Sequence, residues 1–299
     1  MTTRSQGAGA GCGWLMDGIR VGFRHPRPLF GGAALLAVAC MLPSLVTLPM
    51  QFHAKSEGIP LSATTSLMLM VLPALYGLLI IPLYAGYLQL IDATERGREA
   101  RVSGIFGLYR QGGAWRLVGL GAANLAISTV AFATIIMATG SGIAHGYMQV
   151  LAGQANHPLP SALPDGFWAA VGLCMVFGIW MMGFYAISLG QVALNRRSVS
   201  GAIADGAIGA LKNALPLLVL ALCWVLAWVV AAIVLAIVAA VFALLALLVG
   251  AWLMFVVLVP LYLALILLMF SVMFGVTYHL WRDVCGNDGA AAMPPPLAA

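Results

Sequence analysis

NALPLLVLALCWVLAWVVAAIVLAIVAAVFALLALLVGAWLMFVVLVPLYLALILLMFSVMFGVTYHLW, residues 213–281, contains no Asp, Glu, Lys or Arg. A helix crossing the ~30 Å hydrocarbon layer needs about 20 apolar residues, so this stretch crosses at least twice. Lipid offers no hydrogen bonds to an unpaired backbone, so each crossing is helical. Gly250 is the best breaker in the run. It divides the run into spans over 214–240 and 251–281, the second kinked at Pro260. A reading with three crossings, which would carry the C-terminus to the opposite side, is the alternative.

The whole chain shares this character. Its 299 residues are 63% hydrophobic and only 8% charged, with mean hydropathy +1.02. That composition excludes a soluble domain and defines an integral membrane protein. A net charge of +5 would suggest nucleic acid in a soluble protein, but here the basic residues belong to loops and set topology, and no nucleic-acid partner is expected. Cys12, Cys40, Cys174, Cys223 and Cys285 are odd in number and scattered, so they read as small apolar packing residues rather than a disulfide framework or a zinc site.

Outward from the C-terminal run, four more spans follow the same logic, at about 29–50, 65–90, 117–139 and 167–194. Pro73 and Pro82 kink the second. Three stretches with helical spacing of apolar residues read as interfacial helices, at about 14–25, 102–112 and 199–212. In the first, Asp17, Arg20, Arg24 and Arg27 fall on one side and Leu15, Ile19, Gly22 and Phe23 on another, so it is expected to lie along the headgroup surface. His25-Pro26-Arg27-Pro28 ends it. Residues 1–13 and 286–299 read as disordered, with residues 14–285 forming a single transmembrane domain. No apolar stretch precedes Cys12, so no cleaved signal peptide is expected and the first span serves for insertion.

Sidedness follows from the basic residues. With both termini and the loops around 92–116 and 195–212 in the cytoplasm, every one of the 14 Lys and Arg residues except Lys55 lies inside. Arg101-Val-Ser-Gly104 and Arg197-Ser-Val-Ser-Gly201 each open a surface helix that carries a basic residue near its end and runs into a span, and residues 14–28 do the same. The expected architecture is therefore all-α: six transmembrane helices as three helical hairpins, each preceded by a short cytoplasmic-side amphipathic helix.

GWLMDGIRVGFRHPRPLF (13–30), YAGYLQLIDATERGREARVSGIFGLYRQGG (84–113), DGAIGALKNALPLL (205–218) and TYHLWRDVCG (277–286) together resemble a proteobacterial family of six-span inner-membrane proteins of unknown function. The resemblance implies a bacterial inner-membrane location and no functional residue. The long Ala/Leu-rich final third and the Pro-containing tail depart from it.

Chemistry is sparse. The spans hold no ionisable side chain apart from His279 near a cytoplasmic end, and GxSxG, HExxH, P-loop and paired-carboxylate patterns are missing. No catalytic, metal or cofactor site is expected, and Asp92, Glu95 and Glu99 read as a solvated charge run. Asn124, Ser128, Thr129, Thr134, Ser188 and Gln191 read as interhelical glue. Arg20, Arg24, Arg27, Arg110, Arg116, Arg196, Arg197 and Lys212 are candidate contacts for anionic lipid headgroups on the cytoplasmic side. Ala202, Gly206, Ala210 and Ala214 form a small-residue stripe for helix packing, through which other membrane proteins are possible partners. The expected function is a non-enzymatic scaffold, assembly or lipid-contacting protein. A permease or lipid-handling protein with a cavity between the helical repeats is the alternative.

Overall fold

A computed structural model describes residues 3–57, 63–140, 142, 166–250 and 252–286, and among these residues there are helices and turns but no strand. The elements are α1 (Ala10–Arg24), α2 (Pro26–Glu57), α3 (Ala63–Glu95), a 3₁₀ turn (Val102–Phe106), α4 (Gly107–Arg110), α5 (Ala114–Thr139), α6 (Phe167–Ala193), α7 (Val199–Lys212), α8 (Ala214–Val249) and α9 (Trp252–Cys285). Six of them, α2, α3, α5, α6, α8 and α9, are long and apolar enough to cross a membrane.

Local chemistry sets the breaks. His25 stands before Pro26, which disfavours the α region for it, and it leaves the helix at φ −129°, ψ 59°. Pro26 then opens α2, where a missing N–H costs nothing. At Gly250 the backbone takes φ 125°, which a side chain would resist, so α8 stops and α9 begins two residues on. Ser198 caps α7, its hydroxyl accepting from the Gly201 N–H at 3.3 Å. Pro43, Pro49, Pro73, Pro82 and Pro260 lie inside helices, as membrane helices tolerate.

The charged segments gather at one end of the bundle. There Arg116 donates to the carbonyls of Arg196, at 2.8 Å, and Arg197, and Arg282 stands 3.8 Å from Glu95. The core lies at this charged end: Trp14, Leu29, Tyr87, Ile91, Leu120, Ile187, Leu217 and Trp281 are all fully buried. Toward the far end burial falls away. No described residue between 221 and 266 is buried. At 1.5 Å per residue the 36 residues of α8 and the 34 of α9 extend ~50 Å, beyond the ~30 Å a bilayer core requires.

α9 is the central helix, touching α1, α2, α3, α6 and α8. Its crossing with α1 is the closest, because glycines meet there. A Cβ on Gly275 would stand 2.8 Å from the Cα of Gly18, and one on Gly18 would stand 2.8 Å from the backbone N of Val276. Trp14 reaches Asp283, Gly18 meets Val276, and Gly22 meets Ser271. α1 therefore runs lengthwise and antiparallel along α9, wedged against α8. That corrects the expectation of a helix lying flat on the headgroup surface.

Two further expectations give way. Residues 3–9, read as disordered, are tied down: Gln6 N–H donates to Asn213 Oδ1 at 2.8 Å, Asn213 Nδ2 donates to the Arg4 carbonyl at 2.9 Å, and Arg4 N–H donates to the Val284 carbonyl at 3.0 Å. In place of a continuous helix over 102–112 there is a 3₁₀ turn and a single α turn. Gly104 and Gly107 weaken helix there, and Gly112 takes φ 72°. The tail over 287–299 lies outside the described residues.

Candidate functional site

Three acidic residues organise the charged end, and each is held from a different element. Asp92, on the last turn of α3, is 5% exposed. It accepts from Arg96 Nε at 2.8 Å, from Arg98 Nη2 at 2.5 Å and from the Tyr278 hydroxyl of α9 at 3.1 Å. The Arg282 guanidinium lies over the Tyr278 ring, 5.7 Å from its centroid. This joins α3 to α9. It also corrects the solvated-run reading for Asp92, although Glu99, paired with Arg101 at 2.7 Å, is exposed as that reading requires.

Asp205 sits on the buried face of α7 and accepts from Arg197 Nε at 3.0 Å and Gln191 Nε2 at 3.1 Å. Asn195 Nδ2 donates to Gln191 Oε1 at 2.7 Å, so the cluster links α6 to α7. Asp283, on α9, accepts from the Trp14 indole N–H of α1 at 2.9 Å. Beside it Gln6 Nε2 donates to the Asp283 carbonyl at 2.8 Å, and Lys212 Nζ donates to the Thr3 carbonyl at 3.3 Å. Tyr109, outside the spans, donates to the Leu79 carbonyl, and partial burial raises its phenol above the usual value.

The arginine candidates divide into two groups. Arg116, Arg197 and Lys212 are engaged with the protein as described, and Arg20 stands 3.6 Å from Asp17. Arg24, Arg27, Arg110 and Arg196 are exposed. The eight do not form one ring. Arg20, Arg24 and Arg27 follow one another along α1 and the start of α2, whereas Arg116, Arg196 and Arg197 meet at the α5 and α7 starts.

The small-residue stripe is used within the protein. Ala202, Gly206 and Ala210 are buried, and a Cβ on Gly206 would press on Ser188 and stand 2.8 Å from the Phe184 carbonyl of α6. Ala214 is exposed, one residue beyond Asn213, where the chain turns into α8. Ser188 donates to the Ala202 carbonyl at 3.1 Å in the same contact. Thr129 and Thr134 donate to carbonyls of their own helix, and Ser128 is half-buried. Asn124 is buried with neither amide atom paired among the described residues.

Cys12 and Cys223, read as packing residues, are joined in a disulfide, with Cα atoms 6.1 Å apart, tying α1 to α8. Scattered spacing hid this pair because the two cysteines meet only once α1 docks beside α8. Two clefts have apolar walls. One, of about 170 Å³, lies between α1, α8 and α9, and the other lies along the first turns of α6 beside Phe167 and Met175. Among the described residues no group of His, Cys, Asp and Glu is arranged to hold a metal.

Comparison with protein-family models, curated proteins and solved structures returns no match to this chain. The class that the fold defines is an all-helical protein with six helices able to span a membrane, compatible with a multi-pass membrane protein.

Proposed function

We propose that this is a non-enzymatic multi-pass protein of the bacterial inner membrane, acting through its surface as a scaffold in contact with lipids and neighbouring membrane proteins. The observation that carries this reading is how the polar groups of the charged end are disposed. Asp92, Asp205 and Asp283 hold Arg96, Arg98, Arg197 and Trp14 of the same chain, while the two clefts are apolar. Groups committed to holding helices together leave little for acid-base work or for a hydrated path. Exposed leucines, valines and isoleucines over the far halves of the helices supply surface for lipid and protein contact.

The proposal includes a cytoplasmic charged end, supported by the placement of every Lys and Arg but Lys55 in segments belonging to that end. It also includes three hairpins, α2–α3, α5–α6 and α8–α9, each introduced by an amphipathic piece, and membership of the six-span family that the chain resembles. In-sequence neighbours touch in each of these pairs.

Purification in nanodiscs followed by native mass spectrometry tests the function. A reproducible protein partner supports the scaffold reading. A bound water-soluble solute, with solute flux in reconstituted vesicles, overturns it in favour of a permease.

A further inference from the structure

The cleft between α1, α8 and α9 is walled by Leu15, Ile19 and Phe23 from α1 and by Trp224, Trp228 and Ala231 from α8. Four-residue spacing puts positions 15, 19 and 23 in one row along α1, and the adjoining row, 16, 20 and 24, carries Met16, Arg20 and Arg24. All three are exposed. Arg27 follows, exposed, just past the break at His25. The cleft thus has an apolar wall and, directly beside it, a basic rim. The rim is weakly neutralised from within, since Arg20 reaches Asp17 only at 3.6 Å and no described carboxylate pairs with Arg24 or Arg27. At the charged end the Cys12–Cys223 bond joins the two walls.

Chemistry selects the occupant. The cleft of about 170 Å³ has apolar walls, which would leave water without hydrogen bonds. A hydrocarbon chain suits such walls, and the exposed arginine row calls for an anionic group attached to that chain.

We propose that the cleft seats an acyl chain of an anionic phospholipid, whose phosphate is met by Arg20, Arg24 and Arg27. The proposal rests on the reading of this protein as one that works through its lipid-contacting surface. Tryptophans such as Trp224 and Trp228 suit the level where chain meets headgroup.

The test uses the full chain in nanodiscs of equal phosphatidylglycerol and phosphatidylethanolamine, with retained lipids counted by native mass spectrometry. The unaltered protein is expected to retain phosphatidylglycerol preferentially. Arg24→Gln with Arg27→Gln should cut that preference by roughly five-fold per arginine. Ala231→Phe, which fills the cleft, should lower retention of lipid while leaving the rim intact. As a measurement on the unaltered fold, phosphatidylglycerol brominated along its chain should quench more tryptophan emission than phosphatidylethanolamine brominated in the same way, and Trp224→Phe with Trp228→Phe should remove that excess. Lipid retention and headgroup preference unchanged in the arginine and cleft variants, or that excess unchanged without the two tryptophans, overturns the proposal. Preferential phosphatidylglycerol retention that responds to these variants, with no protein partner recovered from the unaltered chain, overturns the scaffold reading alone, so the two fail separately.

Discussion

Asp92 shows how a single carboxylate is drawn out of a charge run into the core. Leu88, Ile91, Asp92 and Glu95 continue the i, i+3, i+4, i+7 face of α3, and Leu88 and Ile91 are fully buried. The helix simply runs one turn further than its apolar composition suggests, and that turn presents Asp92 to Tyr278. The signal was present in the spacing, but the neighbouring arginines masked it. Asp205 is similar: it shares the α7 face of Ala202, Gly206, Gly209 and Ala210, all buried, where an acid without a partner would be costly. Asp92→Ala should destabilise the protein by about 2 kcal/mol, because the Tyr278 hydroxyl loses its acceptor along with two arginine bonds. Tyr278→Phe should cost less, about 1 kcal/mol, since Asp92 keeps both arginines. Thermal unfolding in one detergent compares them, and an equal or smaller loss for Asp92→Ala would contradict the latch between α3 and α9.

Among the elements, α1 is the one the sequence misplaced most. Its polar and apolar sides are visible in Trp14–Arg24, but a two-sided helix suits a headgroup surface and a groove between α8 and α9 equally well. What distinguishes them is the glycine spacing, Gly11, Gly18 and Gly22, all buried, together with Gly275 on α9. These positions mean little until the facing helix is known. Gly18→Leu should therefore act as an overpacking change, costing roughly 2 kcal/mol. Trypsin added from the charged side should then cut after Arg20 or Arg24 roughly 30-fold faster, provided the helix opens and recloses quickly. Unchanged cutting would mean that α1 is not held by the Gly18–Gly275 crossing. The Cys12–Cys223 bond gives a second check on the same docking. Alkylation of the denatured protein before reduction should modify three thiols, Cys40, Cys174 and Cys285, and alkylation after reduction should modify all five. Five modified thiols before reduction would show the pair unbonded.

On the scale of the whole molecule, the six apolar helices were legible because a membrane enforces long uncharged runs and closes every backbone bond locally. The division of burial between the two ends was not, because an apolar residue facing lipid and one facing a helix look alike in sequence. Leu217 and Leu222 are both leucines on α8, one fully buried and one 60% exposed. Single cysteines placed at Arg110 or Lys212 in a cysteine-free background should react with an impermeant maleimide only from the cytoplasmic side, and one at Lys55 only from the opposite side. Labelling of position 55 together with position 110 from one side would reject the proposed sidedness. The packing at one end also has a mechanical meaning. With the helices knotted together around Trp14, Asp92, Asp205 and Trp281, the charged end serves as a fulcrum and the far halves of α8 and α9 as arms. A tilt of about 10°, well inside the range membrane helices adopt, carries the tip of such an arm, ~25 Å long, by about 4 Å. Changes in bilayer thickness would therefore be felt as leverage on the knot, and small rearrangements within the knot would be magnified as sweep across the opposite leaflet.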